Sequence, residues 1–218
     1  SGGISKERLI SLDTGLQVAK ELKKNGYKVK ISEPDINFIK NIKVFKPNII
    51  FNALHGQFGE DGYIQTIIER VNIPYTHSGI IASSIAIDKE ISKKIFKKNK
   101  IRTPKYFIYS YNLKKFDLVK KINQYFKFPV VVKPLNEGSS VNVFICNKKN
   151  IFKILKSLSN YKKIMIEEFI GGREIQVAIM GKIKLGAIEL KPKRKFYDYE
   201  AKYNSKAKTQ HIIPVDLP

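Results

Sequence analysis

Leu9, Leu12, Leu16, Ala19 and Leu22 recur at helical spacing, which predicts a helix entered from a loop at residues 1–5 and closed by Asn25-Gly26. Residues 27–31 then alternate apolar and polar, the pattern of a strand. A short apolar run at 49–54 ends in a polar, glycine-rich cluster, residues 62–71 read as a helix, and 73–76 as another short strand. Together these units predict a small doubly wound α/β layer over residues 1–77. A glycine turn that opens a helix ordinarily follows a strand, so a further strand is expected ahead of Ser1.

A serine-rich joint at His77-Ser78-Gly79 and Ser83-Ser84 predicts a boundary, followed by a helix near Asp88. Beyond it the pattern changes to α+β: strands at 105–109, 129–133, 141–146 and 163–168, with helices at 117–126 and 150–159. A hairpin is predicted from 174–179 and 182–190 across Met180-Gly181. The resulting division is 1–77, 78–166 and 167–218. No internal repeat or low-complexity segment is visible.

Charge changes the picture less than its size suggests. The formal net charge is +22 over 218 residues, with 41 lysines and arginines against 19 acidic residues. A strongly basic chain invites a nucleic-acid reading, since neutralised phosphates release counterions. Yet only Arg8, Arg70, Arg102, Arg173 and Arg194 are arginines, and arginine is the residue suited to bidentate phosphate and base recognition. The lysines are dispersed, which favours a solvated surface. A basic nucleic-acid-binding module remains the alternative from another functional class. The single cysteine, Cys146, excludes an internal disulfide, and no apolar run approaches the roughly 20 residues needed to span a bilayer. A reducing, cytoplasmic setting is the default expectation.

Three stretches carry candidate chemistry. Residues 130–141 place Lys133 at the end of a β-branched strand before a Gly/Ser turn, whose amides and nearby ammonium suit phosphate oxygens; an ordinary hairpin is the competing reading. The absence of Gly-Lys-Ser/Thr leading into a helix excludes a Walker motif. Residues 53–62 place His55, Glu60 and Asp61 among glycines after an apolar run. That is where α/β sheets gather ligands, although the carboxylates also suit a helix cap and His55 simple packing. Residues 164–170 end a strand in Glu167 and Glu168, with Glu174 following, so that a nucleotide slot and a solvated strand end compete. A fourth stretch, 196–203, has three tyrosines and alternating charges without a period, and reads as an ordered functional loop.

In order along the chain, residues 2–8, 55–62, 88–89, 133–141, 167–174 and 196–203 resemble D-alanine:D-alanine ligases of the ATP-grasp superfamily from end to end. The resemblance implies a pre-ATP-grasp N-terminal domain, a central ATP-grasp subdomain and the start of a C-terminal one. It implies that Glu7, Ser139 and Tyr203 form a hydrogen-bonded trio, with Glu7 facing a substrate ammonium, and that His55 positions substrate. Lys89, Lys133 and Lys202 would contact ATP phosphates, Glu167, Glu168, Phe169 and Ile170 would line the adenine, and Glu174 the ribose. One D-alanine carboxylate would take the γ-phosphate, and the amine of a second would displace it.

A loop over residues 195–208 would shield the acyl phosphate from water. Retention of Tyr203 favours an amine acceptor, so the nearest rival substrates are D-serine and D-lactate. The family is commonly dimeric and serves peptidoglycan synthesis. Thr66, Asn142 and the Glu168-Phe169 pair depart from the usual family pattern. The ligands for Mg²⁺ or Mn²⁺ and an arginine for the tetrahedral intermediate are expected beyond Pro218, so the 218-residue chain alone is expected to be inactive.

Overall fold

Four short runs rich in β-branched and aromatic residues pair into one antiparallel sheet, and two amphipathic helices cover one of its faces. The computed structural model describes residues 1–193, 202 and 207–216. Its contacts divide into two units: residues 1–103 with 135–138, and residues 104–134 with 139–218.

The first unit is helical: α1 (Arg8–Lys24), α2 (Phe38–Phe45), α3 (Tyr63–Arg70), α4 (Ile80–Ile87) and α5 (Lys89–Lys98). Its core gathers Phe38, Ile42, Leu54, Ile64 and Ile68. The predicted doubly wound layer is reduced here to one parallel bridge, Ile50 with Tyr75, closed by Ile50 N–H to Pro74 O at 2.9 Å and Thr76 N–H to Ile50 O at 3.0 Å. The run 27–31 is extended but unpaired among the described residues, because a strand exists only where a neighbour accepts its ladder. The serine-rich joint is not a loop: Ser83 and Ser84 lie inside α4.

The second unit holds the predicted α+β module. Strands β1 (Tyr106–Tyr109), β2 (Val130–Pro134), β3 (Phe144–Cys146) and β4 (Ile164–Glu168) lie in the order β1-β4-β2-β3, with helices α6 (Lys115–Tyr125) and α7 (Ile151–Ser157). Period-two alternation sorts the side chains. Val130, Val132, Ile164 and Ile166 enter the core with Leu118 and Ile122 of α6 and with Ile151 and Leu155 of α7. Val131, Lys133, Met165 and Glu167 occupy the alternate positions and so share the opposite face. The predicted hairpin is present as β5 (Glu174–Met180) and β6 (Ile183–Lys191), extended by β7 (Gln210–Ile212).

Candidate active site

In the first unit, the site residues gather where α1 meets the loop after residue 52. Gly2 N–H donates to Ser11 Oγ at 2.8 Å, and Ser11 Oγ donates to Ala53 O at 2.7 Å. Ser5 Oγ donates to His55 O at 2.7 Å. Helix α1 therefore turns a face of small polar residues inward, with Ser11 and Gly15 buried, while Leu9 and Leu16 are exposed. The predicted helix is present, and of its periodic apolar residues Ala19 is buried while Leu9 and Leu16 are exposed; small residues allow the helix this close to the loop.

Glu7, just ahead of α1, is 3% exposed. Its carboxylate sits close against two loops, since a Cβ on Gly56 would stand 2.6 Å from Glu7 Oε2 and one on Gly138 3.1 Å from it, so either side chain would push the carboxylate aside. Gly56 also needs its positive φ of 66°, which glycine adopts without strain. Among the described residues, no hydrogen-bond donor reaches the Glu7 carboxylate. A carboxylate with so little exposure suits a cationic partner.

His55 is hydrogen-bonded through one ring nitrogen and faces a carboxylate with the other. Nε2 lies 3.1 Å from Thr14 Oγ1, and Nδ1 lies 4.0 Å from Glu60 Oε1. Gly62 is the N-cap of α3, and Asp61 ties the loop to the helix start by accepting the N–H of Phe58 at 2.8 Å and of Tyr63 at 3.0 Å. The paired carboxylates thus separate into one that faces His55 and one that shapes the loop. A cavity of about 250 Å³ opens here, lined by Thr14, Asn52, His55, Glu60, Gln65 and His77 among others.

Lys89 opens α5 behind Asp88, whose Oδ1 accepts the N–H of Glu90 at 2.9 Å and of Ile91 at 3.0 Å. The Lys89 ammonium donates to the carbonyls of Leu135 at 3.0 Å and Glu137 at 2.5 Å, so it grips the lead-in to the Gly/Ser turn. Lys6 pairs with Glu137 in the same segment at 3.1 Å.

In the second unit, Lys133 forms an ion pair with Glu167 across the face away from the helices. Lys133 is opposite Met165 and Val131 opposite Glu167, so the pair is a diagonal neighbour contact between β2 and β4. Glu168 N–H donates to Lys105 O at 2.9 Å, Phe169 is half-buried and Ile170 is exposed. Partial desolvation raises the Glu174 pKa, opposed by the positive charge of Lys202. Ser139, Ser140 and Asn142 all take positive φ, and Asn142 Nδ2 donates to Tyr161 Oη at 2.8 Å. Asparagine in place of glycine therefore keeps the turn and adds a tether. Thr66 Oγ1 donates to Gly62 O at 2.8 Å within α3.

Tyr203, with residues 196–201, lies outside the described residues, so its trio with Glu7 and Ser139 is not described. No group of three or more His, Cys, Asp or Glu that could hold a metal occurs among the described residues. No helix among them is long and apolar enough to cross a membrane. Sequence reasoning missed Thr14; its spacing of seven residues from Glu7 on one helical face was the available signal.

The family model described as D-ala D-ala ligase C-terminus matches residues 95–218. The D-alanine–D-alanine ligase of Pelagibacter ubique (strain HTCC1062) is 73% identical over 217 residues, a match covering 100% of this chain and 71% of that protein. This chain belongs to the D-alanine–D-alanine ligase family. The corresponding ligase of Wolbachia pipientis wMel is 42% identical, with 100% of this chain and 68% of that protein covered. The crystal structure of the Bacillus anthracis D-alanine–D-alanine ligase superposes with a TM-score of 0.81 at 35% identity, covering 100% of this chain and 70% of that one. Its complex with ATP gives a TM-score of 0.77 at 30% identity, with 100% and 69% covered. The mixed helix-and-sheet architecture is thus that of the ATP-grasp ligases.

Proposed function

We propose that this protein joins two D-alanine molecules in an ATP-dependent reaction for peptidoglycan precursor synthesis. The observation that carries the reading is Glu7, a carboxylate 3% exposed, set against Gly56 and Gly138 and near His55. Such a group binds an ammonium well, and an α-amino acid presents one. Phosphoryl transfer to the D-alanine carboxylate needs little covalent help and much neutralisation of charge. In this reading Lys89, Lys133 and Lys202 supply that neutralisation, Glu167, Glu168, Phe169 and Ile170 line the adenine, and Glu174 takes the ribose.

Mg²⁺ or Mn²⁺ would accompany the nucleotide. Residues 1–77 form the substrate domain, 78–166 the central subdomain and 167–218 the start of the last. Ser139 and Tyr203 complete the trio with Glu7, and Tyr203 selects an amine acceptor. A cytoplasmic homodimer completes the proposal.

Phosphate release by the full-length protein with ATP and D-alanine tests the reading. D-alanine-dependent turnover is expected, with D-serine and D-lactate poorer acceptors. The variant Glu7→Gln should raise the KM for D-alanine by about tenfold or more, since charge-assisted hydrogen bonds contribute about 1.5–3 kcal/mol. Absence of D-alanine-dependent turnover in the wild type would overturn the proposal.

A further inference from the structure

We propose that Thr14 is a positioning residue for His55, fixing the imidazole on the substrate side through its Nε2 atom. The inference rests on His55 serving the D-alanine reaction. Glu7, Ser11 and Thr14 stand at i, i+4 and i+7, so they share the inward face of α1. Two of them reach the same three-residue stretch: Ser11 Oγ meets Ala53 O at 2.7 Å, and Thr14 Oγ1 meets His55 Nε2 at 3.1 Å. Ser5 fixes the backbone of His55 itself, at 2.7 Å from its carbonyl. The helix that begins beside Glu7 thereby also sets the ring of His55, and the two residues keep a constant relation.

The hydrogen bond decides more than place. Nε2 and the Thr14 hydroxyl share a hydrogen bond at 3.1 Å in which the hydroxyl can donate or accept, while Nδ1 stands 4.0 Å from Glu60 Oε1, beyond hydrogen-bond distance. The ring is then held in one orientation. An imidazole with 28% of its side chain exposed has room to rotate about χ2, and the hydroxyl removes that freedom. A misplaced side chain at a reacting centre costs rate even when the fold is intact. Valine matches threonine in shape and branching but lacks the hydroxyl, and serine keeps the hydroxyl but lacks the methyl, so the pair separates positioning from packing.

The test uses the full-length protein with Thr14→Val and Thr14→Ser. Thr14→Val should lower kcat/KM for D-alanine by about tenfold, the scale seen on removing partners that orient a functional histidine, while the KM for ATP changes less than about twofold. Thr14→Ser should restore most of the loss. Long-range ¹H–¹⁵N spectra of the histidine rings, assigned with His55→Asn, should show the His55 Nε2 resonance shifted in Thr14→Val and near wild type in Thr14→Ser. Wild-type kinetics and an unmoved Nε2 resonance in Thr14→Val would overturn the inference. A Thr14→Ser variant more impaired than Thr14→Val would also overturn it, since methyl packing would then be what matters. If the wild type lacks D-alanine-dependent turnover, the ligase reading fails, while the ring resonance still decides whether Thr14 holds His55.

Discussion

Lys133 is a charge placed inside a β-branched strand, and its partner shows why it is tolerated. Alternation puts Lys133 and Glu167 on the sheet face away from the helices, where their side chains are 18% and 7% exposed. Removing Lys133 takes an ion-pair partner from a carboxylate whose side chain is only 7% exposed. Lys133→Met should destabilise the protein by about 3–5 kcal/mol, and adding Glu167→Leu should recover much of it, as read from urea midpoints at unchanged m. Cys146 carries the opposite lesson. It is fully buried in the helix-covered core, and burial pushes its thiol up to about 12. The neutral thiol is favoured by the fold, so its contribution is complete below the unfolded pKa of about 8.5 and is lost as pH rises from there through 12. Cys146 should resist thiol reagents at pH 8 in the native protein and react promptly in denaturant; native labelling at the denatured rate would refute this.

Elements differ in how plainly their residues announce them. The four strands and two helices of the second unit lie close to the positions predicted, because period two and period 3.6 are both strong there and one core receives them. Helix α5 was equally plain: Asp88 is an N-cap with its two amide bonds, and Asp88→Ala should cost about 1 kcal/mol in chemical denaturation. By contrast α2 is eight residues long, has no side-chain cap, and ends at Lys46 in a left-handed conformation rather than at a glycine. Helix α4 is apolar nearly all round, apart from two serines, so no face stands out. The Gly/Ser turn is tied down by Asn142 and Tyr161. Tyr161→Phe should lower stability by about 1 kcal/mol, and its effect should shrink in an Asn142→Gly background, where the partner amide is already gone.

At the scale of the whole molecule, a net charge of +22 makes the folded state repel itself. Thermal melts in rising sodium chloride should therefore show a Tm that increases through about 0.1–0.3 M, as the Debye length shortens from about 10 Å. A Tm that falls over this range would mean that ion pairs such as Arg8 with Glu33 outweigh the repulsion. The order of motifs, the family and the α+β module were determined by the sequence, because each depends on local period or on contiguous residues, whereas the pairing of β2 with β4 that puts Lys133 and Glu167 on one face was decided by the tertiary structure. The inward face of α1, the burial of Glu7 against Gly56 and Gly138, and the seating of His55 on Thr14 were decided only by the tertiary structure. Thr14 and His55 lie 41 residues apart, and no local pattern encodes which helical face a distant loop will meet.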